Sequence, residues 1–233
     1  MDEQTAPRRP APPRPAAVLF DFSGTLFFIE SADEALRAAL GPEFVGWAPR
    51  LRDLGAINGS TEPRETPPHL AELWERRDLS AEAHRAAYSG LSRHAGLSEE
   101  QAAALYDRGV LPAAWRPYPD TVRVLRRLRE LRIPTALVSN IGWDPRPVLA
   151  AHGVADCLDV LVLSDEQGVV KPDPEIFRRA CAALAADPTD CVMVGDSVRA
   201  DQGCEALGIR FALVSSVAAE REPDALLHAV GIS

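Results

Sequence analysis

From Ala16 to Asp21 the chain is an unbroken apolar run that ends on a single carboxylate. With no polar alternation along its length, this run predicts a strand buried on both faces. After Pro119 helical and strand periods alternate. Helix Thr121–Leu131 leads to strand Pro134–Ser139, and helix Pro145–Ala151 to strand Val160–Leu163. Helix Pro174–Ala186 then leads to strand Cys191–Gly195, and helix Arg199–Leu207 to strand Arg210–Val214. Strands separated by helices of this length pair in parallel through crossover connections. The expected fold is therefore α/β, a doubly wound parallel sheet of Rossmann-like type.

Between Ser31 and Arg116 no strand pattern is visible. Helical stretches run over Ala32–Leu40, His69–Tyr88 and Ser98–Arg108, separated by proline and glycine clusters at Gly41–Pro42, Glu62–Pro68 and Gly90–Gly96. The pattern predicts an all-helical cap over residues 31–116, inserted into an α/β core of residues 16–30 and 117–233. Residues 1–15 carry five prolines and no apolar centre, which reads as a disordered Pro/Arg-rich leader and excludes a secretory signal.

Composition narrows the function classes. A net charge of −9 argues against a nucleic-acid partner, since phosphate backbones are held by clustered basic residues. No apolar run approaches the ~20 residues of a membrane span. Four cysteines and five histidines fall in no metal-ligand spacing, so the thiols are read as reduced and buried and the location as cytoplasmic. Nothing in the sequence speaks to oligomeric state. The basic residues are lopsided, 24 arginines and one lysine, which singles out Lys171 as a place that needs an ammonium.

Asp21, Ser139, Lys171 and Asp196 are each read as falling at or just after the end of a predicted strand. In a doubly wound sheet those ends share one edge, where ligands bind. Taken singly, an aspartate there also serves as a helix cap, "VSN" as a strand exit, and a lysine before proline as a solvated loop. Their order along the chain, with Gly24 and Gly195 beside them, points to one pocket.

These segments are "DFSGT" at Asp21, "VSN" at Val138, "KPDP" at Lys171 and "VGDSVRAD" at Val194. Together they resemble the motifs of the haloacid dehalogenase-like hydrolase superfamily, in its helical-cap branch, over about residues 16–216. The resemblance implies a phosphatase acting on a small phosphorylated metabolite. Asp21 would attack phosphorus to give an aspartyl-phosphate. Mg²⁺ would be held by Asp21, Asp196 and the main-chain oxygen of Ser23, with Asp201 orienting metal-bound water or Lys171 from behind. Ser139, the backbone N–H groups of Thr25 and Asn140, and Lys171 would take the phosphoryl oxygens.

Ser23 departs from the superfamily pattern, where phosphatases carry an acid/base aspartate. A hydroxyl is too weak an acid to protonate a leaving alcohol, and general acid–base help of this kind is worth about 10²–10⁴ in rate. The expected enzyme is therefore slow or restricted to good leaving groups, unless a cap residue such as Glu30 supplies the proton. Two alternatives stand beside it: a metal-independent haloacid dehalogenase, and a catalytically impaired protein that binds a phospho-ligand. A phosphonate-cleaving activity would need a lysine in the cap, which has none. Trp47, Arg50, Arg52, Trp74, His84, Arg93 and Trp115 are the cap residues available to the substrate, although most are expected to serve as the cap's core (the tryptophans) or its solvated face (the arginines); Trp143 is expected to line the pocket.

Overall fold

The computed structural model describes residues 14–57, 63 and 65–232; all of the leader except Arg14 and Pro15, and part of the 62–68 cluster, lie outside them. Five parallel strands form the central sheet: β1 (Ala17–Phe20), β4 (Thr135–Ser139), β5 (Val160–Leu163), β6 (Cys191–Gly195) and β7 (Arg210–Leu213). Their order is β5-β4-β1-β6-β7. Strand β1 sits in the middle with β4 on one side and β6 on the other, so the winding reverses about it. Such a reversal opens a crevice at the carboxyl edge.

The alternation of side chains along β1 explains why all four residues are apolar. Val18 and Phe20 enter one core, with Leu125, Leu128 and Val194. Ala17 and Leu19 enter the other, with Ile176, Phe177 and Met193. Helices α6 (Thr121–Glu130) and α11 (Ala225–Val230) supply the first face, and α9 (Pro174–Ala183) the second. The remaining short helices on the sheet side are α7 (Arg146–Ala151), α8 (Ser164–Gln167) and α10 (Val198–Asp201). The expected helix over 199–207 is α10 followed by a tighter 3₁₀ turn at 202–207.

Two short strands, β2 (Phe27–Ile29) and β3 (Trp115–Pro117), pair antiparallel where the chain leaves and re-enters the sheet unit. The sequence reading missed both, because three residues are too few to show a period. Between them lie α1 (Ala32–Ala39), α2 (Ala48–Asp53), α3 (Ala71–Arg76), α4 (Ala81–His94) and α5 (Glu99–Gly109). These helices share a core of their own around Leu36, Leu51, Leu91 and Leu105.

Local signals account for their ends. Ser31 and Ser98 form capping boxes with Glu34 and Gln101. The single helix expected over 69–88 is broken at Ser80, whose extended backbone and side chain cap α4 through Ala83 N–H. Gly90, expected to end a helix, instead lies inside α4. A Cβ there would stand 2.8 Å from Leu70, so this glycine serves close packing and not termination.

Candidate active site

The register of the sheet sets the site. Phe20 pairs with Leu137 on one side and Val194 on the other, which carries Asp21 to the edge beside Ser139 and Asp196. Asp21 is buried and makes a backbone bond from its N–H to Val194 O, at 3.0 Å. The hydroxyl of Ser139 donates to Asp21 Oδ1 at 3.2 Å. Lys171 Nζ donates to the same oxygen at 2.7 Å and to Asp201 Oδ1 at 2.6 Å. Residues 150 positions apart in sequence thus share one buried ion-pair network.

Asn140 spends its side chain on the lysine loop. Its amide donates to Lys171 O at 2.9 Å and accepts from Lys171 N–H at 2.7 Å. Asp201, fully buried at the end of α10, accepts from Ser197 N–H at 3.0 Å through its other oxygen.

Two glycines make room for carboxylates. A Cβ on Gly195 would fall 2.1 Å from Asp201 Oδ2. On Gly24, whose φ is +79°, it would fall 2.3 Å from Asp196 Oδ2. Carboxylate oxygens of Asp21, Asp196 and Asp201 therefore lie within 4.8 Å of one another.

Three carboxylates facing one ammonium leave an excess of negative charge, and the acidities reflect it. Asp196 is pushed up to about 7, by burial first and then by the charges of Asp21 and Asp201. Asp21 is also raised, burial outweighing the pull of Lys171. Burial alone would depress Lys171, but Asp201 and Asp21 override it and hold the ammonium protonated. An all-oxygen cluster in which Asp21 and Asp196 resist ionising, and which holds more carboxylates than cations, fits a hard divalent cation.

A cavity of about 190 Å³ adjoins the cluster, lined from the sheet by Asp21, Phe22, Ser23, Ser139, Asn140, Lys171 and Asp201, with Asp196 outside its wall. Trp143 lines it as expected, with Trp115. The helical insertion contributes Arg77, Asp78, His84 and Tyr88. A second cavity of about 460 Å³ shares Arg77, Asp78, Asn140 and Lys171 with the first and continues past Trp74 and Arg199.

Of the cap residues available to the substrate, Trp47, Arg50, Arg52 and Arg93 line neither cavity, and Trp74, His84 and Trp115 line one or the other. Trp47 packs beneath Gly96 in the insertion's core. Glu30 is a correction. It is buried, gripped by Arg108 through two bonds of 2.7 and 2.6 Å, and absent from the cavity lining, so it offers no proton there. Its carboxylate neutralises an arginine at the base of the insertion.

Sequence reasoning missed Arg77, Asp78 and Tyr88, which carry no motif. It also missed Arg221. This buried guanidinium donates to Gly24 O at 2.9 Å, Thr25 O at 2.7 Å and Ser215 O at 2.7 Å, and stacks 4.0 Å over Tyr118. It fixes the turn after Asp21 from below. Thr25 is itself fully buried, with Oγ1 unpaired among the described residues.

Fold and site together define an α/β protein that gathers aspartates, a hydroxyl and an ammonium at the carboxyl edge of a parallel sheet. A family model for haloacid dehalogenase-like hydrolases matches residues 15–231, and the chain belongs to that family. It is 31% identical over 129 residues to the mouse (Mus musculus) haloacid dehalogenase-like hydrolase domain-containing protein 3, covering 53% of this chain and about half, 51%, of that protein. It is 29% identical to a phosphoserine phosphatase of Thermus thermophilus, over 67% of this chain and 68% of that one. Among solved structures, a HAD phosphatase from Thermococcus onnurineus aligns with a TM-score of 0.55 at 26% identity, covering 85% of this chain and 86% of its own. L-2-haloacid dehalogenase from Xanthobacter autotrophicus aligns at 0.62 with 23% identity, covering 91% and 81%, a likeness of fold.

Proposed function

We propose that this chain is a Mg²⁺-dependent phosphoric monoester hydrolase acting on a small phosphorylated metabolite. The observation that carries the reading is the cluster of Asp21, Asp196 and Asp201 around Lys171, with its excess negative charge. Any anionic substrate needs a cation to offset that cluster, and the metal-independent dehalogenase alternative supplies none, which is why it is less well supported. The phosphatase names of the Thermus and Thermococcus relatives favour the same choice.

In this reading Asp21, Asp196 and the main-chain oxygen of Ser23 hold the metal, while Asp201 positions Lys171. When bound, the metal would supply charge neutralisation for the phosphoryl oxygens and make water near it more acidic. Asp21 attacks phosphorus, forming an aspartyl-phosphate as the bond to the leaving oxygen breaks. Lys171 and the Ser139 hydroxyl keep the carboxylate oriented and take phosphoryl oxygens as charge builds on them. The backbone N–H groups of Thr25 and Asn140 complete the phosphate cradle. The helical insertion acts as a cap that excludes water and presents substrate-selecting side chains.

The test is hydrolysis of p-nitrophenyl phosphate with Mg²⁺, after chelation, and in Asp21→Asn. Activity lost under both treatments supports the reading. Activity that survives either one refutes it. Phosphate binding without turnover would instead favour the phospho-ligand receptor.

A further inference from the structure

His84 stands in the cavity with one nitrogen uncommitted. It is 2% exposed and sits on α4, which packs against the loop after Ser139 so closely that a Cβ on Gly142 would lie 2.5 Å from His84 Cβ. Its Nδ1 meets Tyr106 Oη at 3.0 Å. Its Nε2 has no hydrogen-bond partner among the described residues and is not among the polar atoms sealed from solvent there. The ring lines the same cavity as Asp21 and Ser23. A buried imidazole on the wall of that cavity, held at one nitrogen by a phenol and unpaired at the other, can pass a proton.

We propose that His84 is the proton donor and acceptor that replaces the carboxyl missing at Ser23, with Tyr106 behind it as the proton reservoir. The proposal rests on the phosphatase reading of the site. In the first step the Asp21–phosphorus bond forms and the bond to the leaving oxygen breaks, its electron pair staying on that oxygen. The oxygen takes the Nε2 proton, and Nδ1 takes the Tyr106 hydroxyl proton. In the second step water attacks phosphorus and the Asp21–phosphorus bond breaks. Water's proton goes to Nε2, and Nδ1 returns its proton to the phenolate. Both half-reactions balance with no other acid or base.

The surroundings suit a neutral relay. Burial, then the nearby charge of Arg77, pull His84 down to about 3, so it holds one proton and one lone pair at ordinary pH. Burial pushes Tyr106 up to about 12, still a stronger acid than an alcohol. Arg85, whose guanidinium lies 4.9 Å over the Tyr106 ring and pairs with Asp107, offers the phenolate a counter-charge. Asp78, also on the cavity wall, is next to Arg77 at 3.4 Å.

The experiment compares benzyl phosphate, whose leaving alkoxide is far more basic than the Tyr106 phenolate, with p-nitrophenyl phosphate, whose leaving phenolate is far less basic. His84→Gln should lose about 10²-fold in kcat on benzyl phosphate, and far less on the nitro ester. Tyr106→Phe, which keeps the packing, should shift the two rates in the same sense and decides the matter if His84→Gln does not fold. Equal losses on both esters, or none, overturn the proposal. Nitrogen-15 shifts of His84 in the resting protein should place the proton on Nε2; a proton on Nδ1 also overturns it. Wild-type protein inactive on both esters refutes the phosphatase reading itself, a different result.

Discussion

Gly24→Ala tests the geometry of the acidic cluster with a single methyl group. The glycine has φ +79°, where an L-residue with a Cβ is strained by about 1–2 kcal/mol. The methyl would also stand 2.3 Å from Asp196 Oδ2, against 3.4 Å for ordinary contact, so the carboxylate must retreat by about 1 Å. Asp196 is only partly buried and can swing outward, so the fold should survive with Tm lowered by about 2–8 °C. The cluster should not survive intact. Mg²⁺ accepts ligands only near 2.0–2.1 Å in octahedral arrangement, and a carboxylate displaced by ~1 Å forfeits that bond. Affinity for Mg²⁺ should then fall at least tenfold, about 1.4 kcal/mol. Calorimetric titration with Mg²⁺ beside a thermal melt separates the two effects. Unchanged Mg²⁺ affinity with a lowered Tm would refute the assignment of Asp196 as a ligand. An unchanged Tm would refute the strain argument.

Three further outcomes follow from the same reasoning. In a His84→Gln background, Ser23→Asp should raise hydrolysis of an alkyl phosphate more than of p-nitrophenyl phosphate, since only the former needs its leaving oxygen protonated; equal gains in a side-by-side rate comparison would contradict this. Arg221→Ala removes donors to three carbonyls and should cost about 2–4 kcal/mol in urea unfolding, with kcat falling as the turn after Asp21 loosens; undiminished stability would show the clasp to be idle. Glu34 is held down to about 2 by its bond from Arg116 and by Ser31. Because the folded state favours the carboxylate, its contribution is complete above about 4.5, the unfolded value, and disappears as pH falls toward 2. The stability gap between wild type and Glu34→Gln, under about 1 kcal/mol at this half-exposed site, should close over that window when followed by denaturant titration.

Much of the core was legible because its causes are local. An apolar run ending in Asp21 needs a two-sided cover, and alternating helical and strand periods allow few topologies. The four motif segments named the residues that meet at the edge, and the register of β1 with β4 and β6 then brings Asp21, Ser139 and Asp196 together. The insertion was less legible. Gly90 looked like a helix end and is a packing contact with Leu70, a distinction that depends on a neighbour 20 positions away. Glu30 looked available and is neutralised by Arg108, 78 residues on. Arg221 and Arg77 were invisible among 24 arginines, since nothing local separates a surface guanidinium from a clasp.

The amino-acid order by itself determined the parallel α/β sheet, the edge at which chemistry would gather, and the absence of a carboxyl at Ser23. These depend on periodicity and residue type, which any stretch of chain carries with it. Only the folded arrangement decided which charges neutralise one another and which polar atoms stay open. Lys171 is shared by Asp21 and Asp201, Asn140 holds the lysine's backbone, and His84 keeps Nε2 free while Tyr106 holds its other nitrogen. Such pairings depend on distance and burial across elements far apart in sequence, and they exist only once the helices and the sheet have packed.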